Sequence, residues 1–204
     1  MLTLFYSPMT RSSRIMALIE ELGVADKIDL RRVDIVRFDG SGRRDPANAH
    51  PEGKVPLLIH NGTEVWESTA IALYLTELFP EAGLGRAIGH KERGSLLSWL
   101  AWYGDVVEPV VVTRIAGVEH PAIRSAWRGL PEVHARIDAA LADGRDYLMK
   151  GGYSVADLII ASTFAWHKPS SPTSALGQAW LGRCLSRPAG AKVWAREMEM
   201  MKAA

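Results

Sequence analysis

The segment that most narrows the fold is Gly53-Lys54-Val55-Pro56-Leu57-Leu58-Ile59, followed past Asn61-Gly62 by Val65-Trp66-Glu67-Ser68-Thr69. A proline donates no backbone hydrogen bond, so Pro56 at the head of an apolar run belongs at a strand edge or a bend, not inside a ladder. Asn-Gly between two apolar runs is a strong hairpin signal. Ile71, Ala72, Leu75 and Leu78 then recur at helical spacing, which puts Glu67 and Ser68 at a strand-to-helix junction. There the free first-turn amides and the Ser68 hydroxyl suit a carboxylate, and the Glu67 side chain suits an ammonium. X-Pro bonds can be cis. A cis Val55-Pro56 bond would turn the Val55 amide and carbonyl outward, where a bound peptide could pair with them as an added strand.

Upstream, Leu2, Leu4 and Tyr6 alternate with Thr3 and Phe5, and Ile15, Leu18, Ile19 and Leu22 follow at spacings of three and four before Gly23. That pattern predicts a strand and then a helix. A second strand is expected around Ile28 to Val36, ahead of a polar loop over Arg37 to Glu52. The order βαβ, loop, ββα is that of a thioredoxin-like domain, placed at residues 1–80 with a linker at 81–89. From residue 90 to 204 the pattern is helical, so the fold class is α/β plus an all-helical domain. Leu96, Trp99, Leu100, Tyr103, Val106, Val107 and Val110 hold one helix face that Pro109 should bend or end. Val133, Ile137 and Leu141 mark another helix, opened by Pro131. Ser154 and Asp157 have the spacing of a capping box for a helix that is apolar nearly all round.

Lys-Val-Pro and Glu-Ser in this setting, with Tyr6-Ser7-Pro8-Met9-Thr10-Arg11-Ser12-Ser13-Arg14 after the first strand, resemble the cytosolic type of the glutathione S-transferase superfamily, in a bacterial-like, serine/threonine-type form. The resemblance implies a co-substrate, glutathione, whose γ-glutamyl end carries the ammonium and carboxylate that Glu67 and Ser68 suit. It also implies that Lys54, Val55 and Pro56 line the glutathione site. Arg37, Lys54 and His50 are candidates for the glycyl carboxylate. His50 stands where the family usually has Asn before Pro, whereas Arg37 and Lys54 bring permanent charge.

A free thiol with a pKa near ~8.5 is only a few per cent thiolate at neutral pH, so an enzyme of this kind must stabilise the anion. A hydroxyl at the end of the first strand, helped by the positive end of the next helix, can do so. Thr10, four residues before Arg14, is the first candidate by resemblance. Ser12 and Ser13 also suit helix capping, and Tyr6 also suits the inward face of the strand. No cysteine lies between Leu2 and Leu22, so a mixed-disulfide mechanism is not expected. An electrophile pocket is expected between the first domain and the first long helix of the second, lined by Trp99, Trp102, Tyr103, Val106 and Arg114.

The 24 basic and 23 acidic residues of this 204-residue chain leave a charge of +1, which gives no electrostatic footprint for nucleic acid. Met1 to Tyr6 lacks a basic leader, and no run approaches the roughly 20 apolar residues of a membrane span, so cytoplasmic residence is expected. The single Cys184 excludes an internal disulfide and reads as a structural thiol. The expected activity is addition of glutathione to small electrophiles, in the manner of a detoxification enzyme, by a homodimer without a metal. The rivals are a glutathione-dependent peroxidase or isomerase, and a non-catalytic binding module on the same fold.

Overall fold

The structure, a computed structural model, describes residues 1–202, which divide into two compact units. In the first, β1 (Leu2–Tyr6), β2 (Ile28–Arg32), β3 (Leu57–His60) and β4 (Thr63–Trp66) form a sheet of order β2-β1-β3-β4. β1 pairs parallel to β2, with α1 (Ser12–Leu22) between them in sequence; β1 and β3, and β3 and β4, pair antiparallel. With α2 (Ser68–Leu78) after β4, this is the thioredoxin-like βαβ, ββα order. Leu4, Ile15, Leu18, Leu57, Leu58, Ile71 and Leu75 are fully buried, as the alternating and helical spacings predict. The Asn61-Gly62 turn has φ +50° and +84°, the left-handed pair that a tight hairpin of right-twisted strands needs.

β2 stops at Arg32, short of the expected Val36. Its partner β1 runs out at Tyr6, whose carbonyl accepts the last cross-strand bond from the Val33 amide at 2.9 Å. Beyond that point no neighbouring strand satisfies the backbone, and the chain enters the long loop.

The sequence assigned residues 90–204 to one helical domain, but α9 (Pro188–Lys202) groups with the first unit and packs on α1. On α9, Val193 and Glu197 are buried one turn apart. The second unit therefore spans Gly83–Arg187. It contains α3 (Arg93–Trp102), α4 (Glu108–Ile115), α5 (Pro121–Ala126), α6 (Leu130–Leu141), α7 (Val155–Trp166) and α8 (Ala175–Leu185).

The expected bend at Pro109 is a π-turn over Tyr103–Val107 that separates α3 from α4. Proline cannot donate to the carbonyl four residues back, which is that of Asp105. The Trp127 indole Nε1 donates to that carbonyl instead, at 2.6 Å. The capping box opens α7 as expected, and its acid does more than cap. The Asp157 carboxylate accepts from the Ser154 amide (3.0 Å) and hydroxyl (3.0 Å), the Leu148 amide (2.8 Å) and Trp180 Nε1 (2.9 Å). One buried acidic side chain thus ties α7, α8 and the segment before α7 together. Cys184 is buried on α8, and its thiol is pushed above the ordinary range by that burial.

Candidate functional site

The sheet register brings the candidate residues of the first unit to one end. Phe5 pairs with Leu57, and Leu57 with Trp66. The chain after Tyr6, the chain before Leu57 and the chain after Trp66 therefore leave or enter three adjacent strand ends. These segments carry Thr10 and Ser12, Lys54-Val55-Pro56, and Glu67-Ser68 respectively. The Val55-Pro56 bond is cis.

At the third of these ends, Glu67 is exposed and held at φ +68°, ψ +129°, outside the regions that non-glycine residues favour. Such a conformation costs on the order of 1–3 kcal/mol and persists only where its surroundings enforce it. It starts α2 with no side-chain cap, which leaves first-turn amides unoccupied by any side chain. Ser68 is buried at that start. A carboxylate laid against these amides would meet both hydrogen-bond donors and the positive end of the helix dipole.

At the first strand end, the Ser7 carbonyl is the hub of a small network. Thr10 Oγ1 lies 2.6 Å from it and Ser12 Oγ 2.8 Å, both as donors. The two hydroxyls are 2.8 Å apart. Ser12 Oγ also accepts from the Ser7 amide at 3.1 Å, and Thr10 Oγ1 from the Ser12 amide at 3.2 Å. Ser12 is fully buried and Thr10 half-buried. Tyr6 is buried, with its hydroxyl 3.9 Å from the Met200 sulfur. Ser13 donates its hydroxyl to Glu197 at 2.7 Å, and the Met9 amide donates to the same oxygen at 2.9 Å. Burial pushes the Glu197 carboxyl above the usual carboxylate range, against the lowering effect of these two donors.

The candidates for the glycyl carboxylate have different surroundings. Lys54 is exposed and ion-paired with Glu52, which raises its ammonium pKa, with a smaller contribution from nearby Glu67. Arg37 turns toward the first strand end, donating to the Pro8 carbonyl and the Ser7 hydroxyl, each at 3.2 Å. His50 is buried and shapes its own loop. Its amide donates to Asn48 Oδ1 (3.0 Å), its Nδ1 accepts from the Glu52 amide (3.1 Å), and its carbonyl accepts from the Gly53 amide (2.8 Å). A ring that accepts at Nδ1 carries its proton at Nε2 when neutral.

In the second unit, Trp99 and Trp102 stack edge to face at 5.2 Å on α3, with the Arg136 guanidinium of α6 over both. Tyr103 is buried, with its hydroxyl bonded to Glu108. Val106 lies in the π-turn and Arg114 is exposed in the last turn of α4. Trp99 lines a cavity of about 500 Å³ with His90, Lys91, Glu92, Arg145 and Lys150; the other four do not. A second cavity, of about 540 Å³ in the first unit, is lined by Ser7, Arg32, Arg37, Asp34 and Asp45 among others. Neither cavity includes Thr10, Glu67 or Ser68.

Comparison with known proteins bears on this geometry. A family model described as glutathione S-transferase, N-terminal domain, matches residues 8–78. The chain is 26% identical over 165 residues to glutathione S-transferase GST-4.5 of Xanthomonas campestris, covering 76% of this chain and 75% of that protein. It is 43% identical over 60 residues to the dichloromethane dehalogenase of Methylorubrum extorquens, a match covering 29% of this chain and 20% of the length of that protein. The solved structure of a sphingomonad glutathione S-transferase complexed with glutathione is similar with TM-score 0.74 and 28% identity, over 96% of this chain and 98% of that one. A glutathione transferase structure from Methylococcus capsulatus gives TM-score 0.72 and 27% identity, over 97% and 98%. Residues 8–78 belong to the glutathione S-transferase N-terminal domain family, and the whole-chain matches support the glutathione S-transferase superfamily.

At the first strand end, two functional groups were not identified from the sequence pattern. The Ser7 carbonyl carries no side-chain signal. Glu197 had one: it interrupts the i, i+4, i+7 stripe Val193, Glu197, Met200 on the last helix, where a solvated acid would be out of place. Among the described residues no helix is long and apolar enough to cross a membrane.

Proposed function

We propose that this protein is a glutathione transferase that adds the glutathione thiolate to an electrophilic small molecule by nucleophilic substitution or conjugate addition, as a cytoplasmic homodimer. The observation that carries the reading is the strained, uncapped start of α2 at Glu67, beside strand ends that carry paired hydroxyls and the Val55-Pro56 step. The γ-glutamyl carboxylate takes the α2 amides and Ser68, the γ-glutamyl ammonium takes Glu67, and the tripeptide backbone pairs with Val55. Lys54 is the exposed cation for the glycyl carboxylate, because Arg37 is engaged with Ser7 and Pro8 at the first strand end and His50 with its own loop.

Thr10 is the hydroxyl assigned to sulfur. Ser12 is fully buried and Tyr6 is enclosed, whereas Thr10 is half-buried. Two protons serve three contacts among Thr10, Ser12 and the Ser7 carbonyl. When Thr10 turns its proton to the thiolate, the Ser12 hydroxyl still satisfies that carbonyl, so no buried acceptor is orphaned. The Ser12 amide donating to Thr10 Oγ1 polarises the hydroxyl toward the anion. In the reaction the thiol proton leaves to solvent and the sulfur lone pair forms the carbon–sulfur bond. In a substitution the leaving group departs with its bonding pair; in an addition the carbanion takes a proton from water. Turnover of an activated aryl halide with glutathione, followed by absorbance, tests the assignment. Absence of both turnover and calorimetric glutathione binding would refute it.

A further inference from the structure

The turn that carries Thr10 is not held by its own residues alone. Met9 sits at φ +59°, a left-handed conformation that a residue with a side chain adopts at a cost. Ser7 and Ser12 fasten the inner side of the turn through their reciprocal bonds. The outer side is fastened from a distant part of the chain. Glu197 on α9, 2% exposed, uses one carboxylate oxygen to accept from the Met9 amide at 2.9 Å and the Ser13 hydroxyl at 2.7 Å, spanning the turn on both sides of Thr10. Its other oxygen is buried and has no hydrogen-bond partner among the described residues. A carboxyl group half unsatisfied in a buried position is an expensive anchor where stability is the only gain, since an apolar side chain would fill the space without desolvating a charge.

We propose that Glu197 is a positioning residue: by clamping Met9 and Ser13 from α9, it sets the place from which the Thr10 hydroxyl meets the glutathione sulfur. This rests on the transferase reading above. The property that matters is the reach of one acceptor oxygen to both donors, not the negative charge. Gamma-glutamyl binding at Glu67 and Ser68 lies on a different strand end and does not depend on the clamp.

Two substitutions separate reach from charge. Glu197→Gln keeps an acceptor oxygen at full length without the charge; Glu197→Asp keeps the charge but falls one methylene short of serving both donors. With glutathione and an activated aryl halide, Glu197→Gln should keep kcat within about twofold of wild type, while Glu197→Asp should lose about tenfold in kcat with KM for glutathione within about threefold, as expected when only a transition-state alignment is lost. The Met9 amide should be protected from hydrogen exchange in wild type and Glu197→Gln and exchange faster in Glu197→Asp. A Glu197→Asp enzyme with wild-type kcat, or a Glu197→Gln enzyme as impaired as Glu197→Asp, overturns the inference. If Glu197→Asp does not fold, an unprotected Met9 amide in wild type or Glu197→Gln overturns it. Exchange at Met9 is read without turnover, so a wild-type protein with neither turnover nor glutathione binding would refute the transferase reading and leave the clamp to be judged on exchange.

Discussion

Replacing Thr10 with Ala tests the chemistry at its narrowest point. On the proposed assignment, the substitution removes one donor to the thiolate and leaves the γ-glutamyl contacts at α2 in place. Inside the protein it deletes the contacts of Thr10 Oγ1 with the Ser7 carbonyl, Ser12 Oγ and the Ser12 amide. The carbonyl keeps its bond from Ser12 at 2.8 Å, so the fold should lose only about 1 kcal/mol, the net worth of an ordinary hydrogen bond. A hydrogen bond to a charged group is worth about 1.5–3 kcal/mol, which at 1.36 kcal/mol per unit corresponds to a rise of about one to two units in the bound thiol's pKa. Starting from a thiol that needs that help to ionise near neutrality, kcat at pH 7 should fall by about ten- to a hundredfold. Thiolate absorbance of the binary glutathione complex, titrated over pH, reads the shift directly, and calorimetry should find glutathione affinity nearly unchanged. Thr10→Ser should retain much of the activity. If Thr10→Ala titrates like wild type while Ser12→Ala or Tyr6→Phe shifts upward, the role belongs to that other hydroxyl.

Other consequences are equally open to measurement. Glu67→Ala should weaken glutathione binding about tenfold or more by calorimetry, because a charge-assisted bond to the γ-glutamyl ammonium is lost. Glu67→Gly should relieve the φ +68° backbone, so the melting temperature should stay level or rise even as affinity falls; a clear drop in melting temperature would contradict the strain argument. Asp157→Asn turns an amide NH₂ toward a cluster of four donors and should lower stability by about 3 kcal/mol in denaturant titrations, with native α7 helicity the first signal to weaken. Because burial raises the folded-state pKa of Glu197 above its ordinary 4.5, the folded state holds that proton longer than the unfolded chain does. This contribution to stability is present below 4.5 and declines as pH rises from there through the folded-state pKa, so Glu197→Gln should gain stability relative to wild type over that rise.

The first unit was legible because its signals are local. Alternation in β1, the Asn-Gly turn and the three-four spacing of α1 and α2 each decide an element without help from distant residues. The end of β2 was not, since it depends on where β1 stops. Nor was the route of α9, whose pattern says only that one face is apolar and not which helix it meets. The same distinction runs through the site. The positions of Glu67 and Ser68 at the start of α2, and of Val55 just before β3, were legible because strand ends and helix starts are readable from local pattern. The engagement of Arg37 with Ser7 and Pro8, and of His50 with its own loop, depends on how the long 33–56 segment folds back, and that segment has no periodicity.

The backbone itself marks the site more sharply than side-chain type does. Three non-glycine residues in the described structure have positive φ: Met9, Asn61 and Glu67. Asn61 is explained by the hairpin, which needs the left-handed conformation and uses a residue that tolerates it. Met9 and Glu67 have no such local reason, and glycine would serve both turns at less cost. They precede the first turns of α1 and α2, the two helices that follow β1 and β4 at one end of the sheet, with β3 between them. One is clamped by Glu197 from the last helix; the other offers an exposed carboxylate beside uncapped amides. Strain that folding alone would not select, confined to the two turns that would hold opposite parts of one small peptide, is the physical reason to place sulfur at the first turn and the γ-glutamyl group at the second.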